Sequence, residues 1–86
     1  MTTFRGVDGS IQWGYHPAAR VKEWTATRGD GGAWALSASV VTCDGFAVSQ
    51  RPLTFVATHR HGRWTWPIQT LQITGAGLSA TLGPRE

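Results

Sequence analysis

The sequence predicts an all-β protein, a small twisted β-barrel of about eight short strands. Three observations support this: Gly-containing turn signals recur at short intervals, apolar and polar residues alternate between them, and no long stretch has helical periodicity. Such spacing is typical of a strand meander that closes on itself. We expect an SH3-like, OB-like or split barrel, with a β-sandwich as the alternative. Because domains usually span about 100–200 residues, residues 1–86 should form one domain.

Two Asp-Gly pairs, Asp8-Gly9 and Asp44-Gly45, predict hairpins with two-residue loops. The first sets Phe4 opposite Trp13, and the second sets Val41 opposite Val48. Between them, apolar and polar residues alternate on both sides of the Gly-rich segment 29–32, which predicts a third hairpin with one buried face. The residues expected on that face are Trp24, Ala26, Trp34, Leu36, Ala38 and Val40.

The segment THRHGRWTWP, residues 58–67, predicts a fourth hairpin. With His61-Gly62 as its loop, His59 faces Trp64 and Phe55 faces Ile68, which gives one apolar face. The opposite face carries Arg60 and Arg63. The segment therefore separates into a core layer and a basic surface layer.

A change of parity follows this hairpin. Trp66 and Ile68 are even-numbered and inward, whereas Leu71 and Ile73 are odd-numbered and inward, which predicts a bulge or bend within Pro67–Thr70. A last hairpin then turns at positions 75–76 or 76–77, and both loops keep the same face inward. The expected core includes Phe4, Trp13, Trp24, Trp34, Leu36, Phe55, Trp64, Trp66, Ile73 and Leu82.

Charge is concentrated in the second half of the chain. The net charge is +3, and residues 45–85 contain four arginines and no acidic residue. The single cysteine, Cys43, excludes an intrachain disulfide and favours a reducing environment. No segment has the pattern of a signal peptide or the length of a membrane helix. We therefore expect a cytoplasmic protein or one within a macromolecular assembly, without a membrane partner and not secreted by any visible signal.

Metal binding and catalysis are both disfavoured. His59 and His61 have the spacing of two ligands on one strand, but His61 falls in the predicted turn and points away. Cys43 has no second cysteine with which to form a structural zinc site. No paired-carboxylate motif is present, and a small barrel filled with tryptophans leaves little room for a shielded reaction. We expect no metal, no cofactor and no enzymatic activity.

The leading functional expectation is a binding module whose basic hairpin face contacts a polyanion, nucleic acid first. Arginines neutralise phosphates, and surfaces of small barrels offer suitable platforms. The expected polyanion-binding residues are Arg51, Arg60, His61 and Arg63.

The alternative is a protein–protein interaction or assembly subunit, such as a phage-type structural or accessory protein. Exposed strand edges and the irregular segment around Trp13, Tyr15 and His16 would then contact a protein partner or a second copy of the chain. A small-molecule pocket at the open end of the barrel is a third interpretation.

Overall fold

A computed structural model describes residues 2–29, 31–59 and 62–84, except for the side chain of His59. Strands account for 73% of the described residues, which confirms the all-β prediction. The elements are β1 (Thr2–Gly6), β2 (Gly9–Trp13), β3 (His16–Arg28), β4 (Trp34–Cys43), a short 3-10 helix (Ala47–Ser49), β5 (Leu53–His59), β6 (Gly62–Thr74) and β7 (Gly77–Leu82).

Six antiparallel strands close into a barrel in the order β3-β2-β5-β6-β7-β4, and β4 returns to pair with β3. Closure confirms the small barrel and rules out the sandwich alternative. The described residues form seven strands, close to the predicted eight. The seventh strand, β1, pairs with residues 24–28 of β3, whereas β2 pairs with residues 16–21 of the same strand.

The predicted Asp8-Gly9 hairpin is wrong, because β1 and β2 run in the same direction along one edge of β3. Gly6 pairs with Trp24 and Gly9 pairs with Val21, so both strands continue a single register. The turn that joins this long ladder to β3 is instead Gly14–Tyr15, with φ of 63° at the glycine. Glycine adopts that left-handed conformation without a steric penalty.

Trp24 explains why the ladder is divided into β1 and β2. Its indole is 1% exposed, lies against the backbone of Gly6 and Gly9, and donates a hydrogen bond of 2.9 Å to the carbonyl oxygen of Asp8. The preceding Glu23 has φ of 51°, and β3 bulges against β4 at this point. At this bulge β3 has one more residue than the strand opposite it, β4. Side chains normally alternate between the two faces of a strand, so the extra residue allows both Val21 and Trp24, three positions apart, to point inward.

The predicted Asp44-Gly45 hairpin is also wrong. β4 pairs with β3 and β7, and after Cys43 the chain enters the short 3-10 helix. The reason lies in the Asp44 carboxylate, which accepts hydrogen bonds from the backbone N–H groups of Phe46 and Ala47, at 3.0 and 3.1 Å. A side chain that satisfies these groups favours a helical turn over a two-residue hairpin.

The hairpin formed by β5 and β6 is present, but its register differs from the prediction. His59 pairs with Gly62, so the loop is 60–61 and both of its residues lie outside the described part of the chain. Ala57 rather than His59 is opposite Trp64, and Phe55 is opposite Trp66. Because the slip is two residues, Phe55, Trp64 and Trp66 still face inward.

The predicted bend in β6 is confirmed. The register with β7 shifts between Ile68 and Thr70, and β6 pairs with β5 up to Ile68 and with β7 from Ile68 onward. One continuous strand thus serves two hairpins. The last loop is Gly75–Ala76, the first of the two predicted alternatives.

An aromatic cluster centred on Trp66 fills the barrel. Its ring lies 5.6 Å from Phe55, 5.7 Å from Trp34 and 6.1 Å from Trp24, measured between centroids. Six of the ten predicted core residues are buried and three more are partly buried; the buried six are Trp24, Trp34, Leu36, Phe55, Trp66 and Leu82, and the other three are Phe4, Trp64 and Ile73.

Trp13 is the exception among the predicted core residues, because it is 36% exposed. The prediction placed it opposite Phe4 in a hairpin that does not exist. Trp13 instead pairs with His16 next to the Gly14–Tyr15 turn, at the end of the β2–β3 ladder.

We predict that Gly6→Ala destabilises the protein by about 1–3 kcal/mol. A Cβ at this position would lie 2.5 Å from the indole nitrogen of Trp24, which is buried and cannot move aside. Denaturant unfolding measures the change. Gly45→Ala is the matched control, since nothing lies within 4 Å of its added Cβ. Equal stability of the two variants would contradict the role given to the Trp24–Gly6 contact.

Candidate interaction surfaces

The residues predicted to bind a polyanion are only partly described. Arg51 lies just before β5, whereas Arg63 lies opposite Thr58 near its other end. The five residue steps from Leu53 to Thr58 correspond to about 17 Å of strand. Nη1 of Arg51 also donates hydrogen bonds to the carbonyl oxygens of Val48 and Gln50, at 3.1 and 2.6 Å. The structure therefore separates Arg51 from Arg63.

Arg60 and His61 lie outside the described residues. That these two residues bind a polyanion together with Arg63 therefore stays a prediction.

Arg63 instead lines a groove with Arg20, a residue that the sequence analysis did not select. This surface, which we call the arginine groove, has a volume of about 390 Å³ and crosses the outer face of β3, β2, β5 and β6. Its lining residues are Asp8, Gly9, Ser10, Gln12, Pro17, Arg20, Val56, Thr58 and Arg63. Arg20 was missed because the first half of the chain has no net positive charge, and only the pairing of β2 with both β3 and β5 places it near Arg63.

A second surface gathers the residues predicted to contact a protein. Tyr15 is fully exposed at the tip of the β2–β3 turn, beside the partly exposed Trp13. Phe46 is 70% exposed, and its ring centroid lies 6.2 Å from that of Trp13 in an edge-to-face arrangement. We call Trp13, Tyr15 and Phe46 the aromatic patch.

The aromatic patch is held by contacts between two distant parts of the chain. Nε2 of His16 lies 3.1 Å from Oδ2 of Asp44, and the backbone N–H of Asp44 donates a hydrogen bond of 2.8 Å to the carbonyl oxygen of Ala18. The His16 contact and the N–H groups of Ala47 and Phe46 hold the pKa of the Asp44 carboxyl below its ordinary value of 3.8. The segment that presents Phe46 is thereby fixed to the β2–β3 hairpin.

Sequence reasoning missed Phe46 and Asp44 as parts of this surface. The Asp-Gly pair is the only local signal here, and it predicts a hairpin rather than a surface. The contact joins residues 28 positions apart, and it depends on barrel closure.

A third feature lies at the end of the barrel where β3 and β7 finish and β4 begins. It is a cleft of about 430 Å³ that includes the side chains of Phe4, Arg28 and Trp34. The rings of Phe4 and Trp34 are stacked, with 5.5 Å between centroids. Trp34 is buried and Phe4 is half-buried, so both rings pack mainly in the core and expose little surface to the cleft.

Within the described residues, no three His, Cys, Asp or Glu side chains converge as metal ligands would, and Cys43 is an exposed free thiol. The same part of the chain contains no helix long and apolar enough to cross a membrane. Because His61 is outside the described residues, the predicted divergence of His59 and His61 stays a prediction.

No protein-family model, curated protein or solved structure matches the chain.

We predict that protonation of Asp44 loosens the Phe46 segment. The pKa of Asp44 is lowered in the folded protein, so its contribution to stability is present above the ordinary value of 3.8 and is lost as the pH falls through the lower folded value. An NMR acid titration should show the amide signals of Phe46 and Ala47 shifting together, with a midpoint below 3.8. Asp44→Asn should remove this titration, and a midpoint at or above 3.8 would contradict the proposed hydrogen bonds.

Proposed function

We propose that the protein is a non-enzymatic protein-interaction module that docks onto its partner through the aromatic patch. The observation that carries the proposal is the exposure of three aromatic side chains, Trp13 and Phe46 in ring contact and Tyr15 two residues from Trp13, on backbone segments joined by hydrogen bonds. Tryptophan and tyrosine are enriched among the residues that dominate protein–protein binding energy.

Burying an aromatic ring stabilises a folded protein, because the ring removes a large apolar area from water. Phe46 is mostly exposed, so its ring contributes little to the stability of the barrel. An apolar cluster at the surface is typical of a contact that is completed by a partner.

Rigidity also favours docking at this surface. Trp13 lies in β2, Tyr15 in a two-residue turn, and Phe46 in a segment capped by Asp44. A partner therefore has less backbone conformational entropy to remove than it would with a flexible loop. His16 and Asp44 supply the polar groups that commonly surround an apolar interface centre.

This proposal ranks the assembly interpretation above the polyanion interpretation. Trp13, Tyr15 and His16, which were predicted to form a protein contact, lie together, whereas Arg51 and Arg63 do not. A phage-type structural or accessory protein is one concrete form of such a module, and the small size of the chain is its only support.

A photo-crosslinking amino acid at position 15 tests the proposal. We expect it to capture one discrete protein species in the native source, or a second copy of the chain, because Tyr15 is the most exposed of the three aromatic side chains. The same group at Val7, which is also strongly exposed, is the matched control and should capture neither. Identical products from positions 15 and 7, or no product from either, would overturn the proposal.

Once the partner is identified by that crosslink, Tyr15→Ala combined with Phe46→Ala should weaken its binding at least about tenfold, as expected for truncated interface centres. Both side chains are exposed, so the thermal unfolding of the double variant should stay close to that of the original protein. Val7→Ala should leave the affinity unchanged. If the partner is a second copy, sedimentation at increasing concentration measures the same loss.

A further inference from the structure

Two arginines on separate strands form opposite sides of the arginine groove. Arg20 pairs with Ser10, Ser10 pairs with Val56, and Arg63 lies on β6 opposite Thr58. Three strand spacings separate β3 from β6, which places the two backbones roughly 14 Å apart. Both side chains line the same groove.

The floor of the groove is well defined. Phe55 and Ala57 point into the barrel core, so the intervening Val56 points outward, yet it is only 8% exposed. An outward residue with so little exposure must be covered by the neighbouring groove walls.

The polar groups of the groove suit an anion. Arg20 and Arg63 provide planar guanidinium groups that can donate two hydrogen bonds to one phosphate. Nε2 of Gln12 donates to Oγ of Ser10 at 3.2 Å, which leaves the serine hydroxyl proton available to donate outward. Asp8 is the opposing charge: its carboxylate lies 3.7 Å from Arg20, and both side chains are more than half exposed. Among the lining residues, two cations against one anion leave a net charge of +1.

The geometry points to the phosphodiester backbone of a nucleic acid as the ligand of the arginine groove. Two cations on opposite walls suit a ligand with repeated negative charges. None of the lining residues is aromatic, so the groove offers no ring on which a base could stack. Contacts of this kind give affinity with little base specificity. This site is separate from the aromatic patch and from the predicted grouping of Arg51 with Arg63.

Fluorescence anisotropy with a labelled oligothymidine, a duplex of the same length and inorganic pyrophosphate as competitor tests the inference. We expect at least one nucleic acid to bind at about 50 mM salt, with an affinity that falls as salt rises. Arg20→Ala and Arg63→Ala should each weaken binding about tenfold and reduce the salt dependence by about one counterion. The comparison of oligothymidine with duplex shows which form of backbone is bound.

Two further variants make the test specific. Asp8→Asn should tighten binding about two- to fivefold, because it removes the one negative charge on the groove lining. Arg5→Ala makes the same change of net charge as the groove variants at an exposed position outside the groove, and it should leave the affinity within about twofold.

The inference is overturned if neither nucleic acid binds, if Arg5→Ala weakens binding as much as the groove variants do, or if Asp8→Asn weakens it. It is also overturned if pyrophosphate binds as tightly as the oligonucleotides. Unchanged thermal unfolding of each variant shows that the fold is intact. The Tyr15 and Phe46 variants should bind nucleic acid normally, so failure here is distinguishable from failure of the proposed protein docking.

Discussion

The seating of Trp24 on the backbone of β1 and β2 is the contact on which the rest of the barrel depends. Its indole needs Gly6 and Gly9 beneath it, and its N–H satisfies the carbonyl of Asp8 at the point where the ladder is divided. This division lets β2 pair with β5 and close the barrel, while β1 stays with β3 alone. The same ring packs against Phe55 and Trp66, so one side chain both divides the ladder and forms part of the core.

Barrel closure also brings the two proposed surfaces together on the β2–β3 hairpin. Gln12 and Pro17 line the arginine groove, whereas the adjoining Trp13 and His16 belong to or border the aromatic patch. Successive side chains along a strand point to opposite faces, so these adjoining residues belong to different surfaces. A protein partner seated on the patch would therefore lie on the opposite face of this hairpin from a nucleic acid in the groove.

The sequence was sufficient for the fold class, most of the inward faces and the bulge in β6, because alternation and parity are local properties. It was not sufficient for chain topology. Asp8-Gly9 and Asp44-Gly45 have the same local signature, but a buried indole controls the first and a carboxylate cap controls the second. The aromatic patch was predicted in part, through Trp13, Tyr15 and His16. Phe46 and Arg20 join their surfaces only through long-range pairing, which no local pattern encodes.

The distribution of the tryptophans has an optical consequence. Trp24, Trp34 and Trp64 each lie within about 6 Å of Trp66, centroid to centroid, close enough for their electronic transitions to couple and for excitation to migrate among them. Trp13 lies instead at the surface, against Phe46. Near-ultraviolet circular dichroism thus reports on the barrel interior, while solvent quenching of fluorescence reports on the exposed indole. One unlabelled chain carries separate spectroscopic signals for its core and its surface.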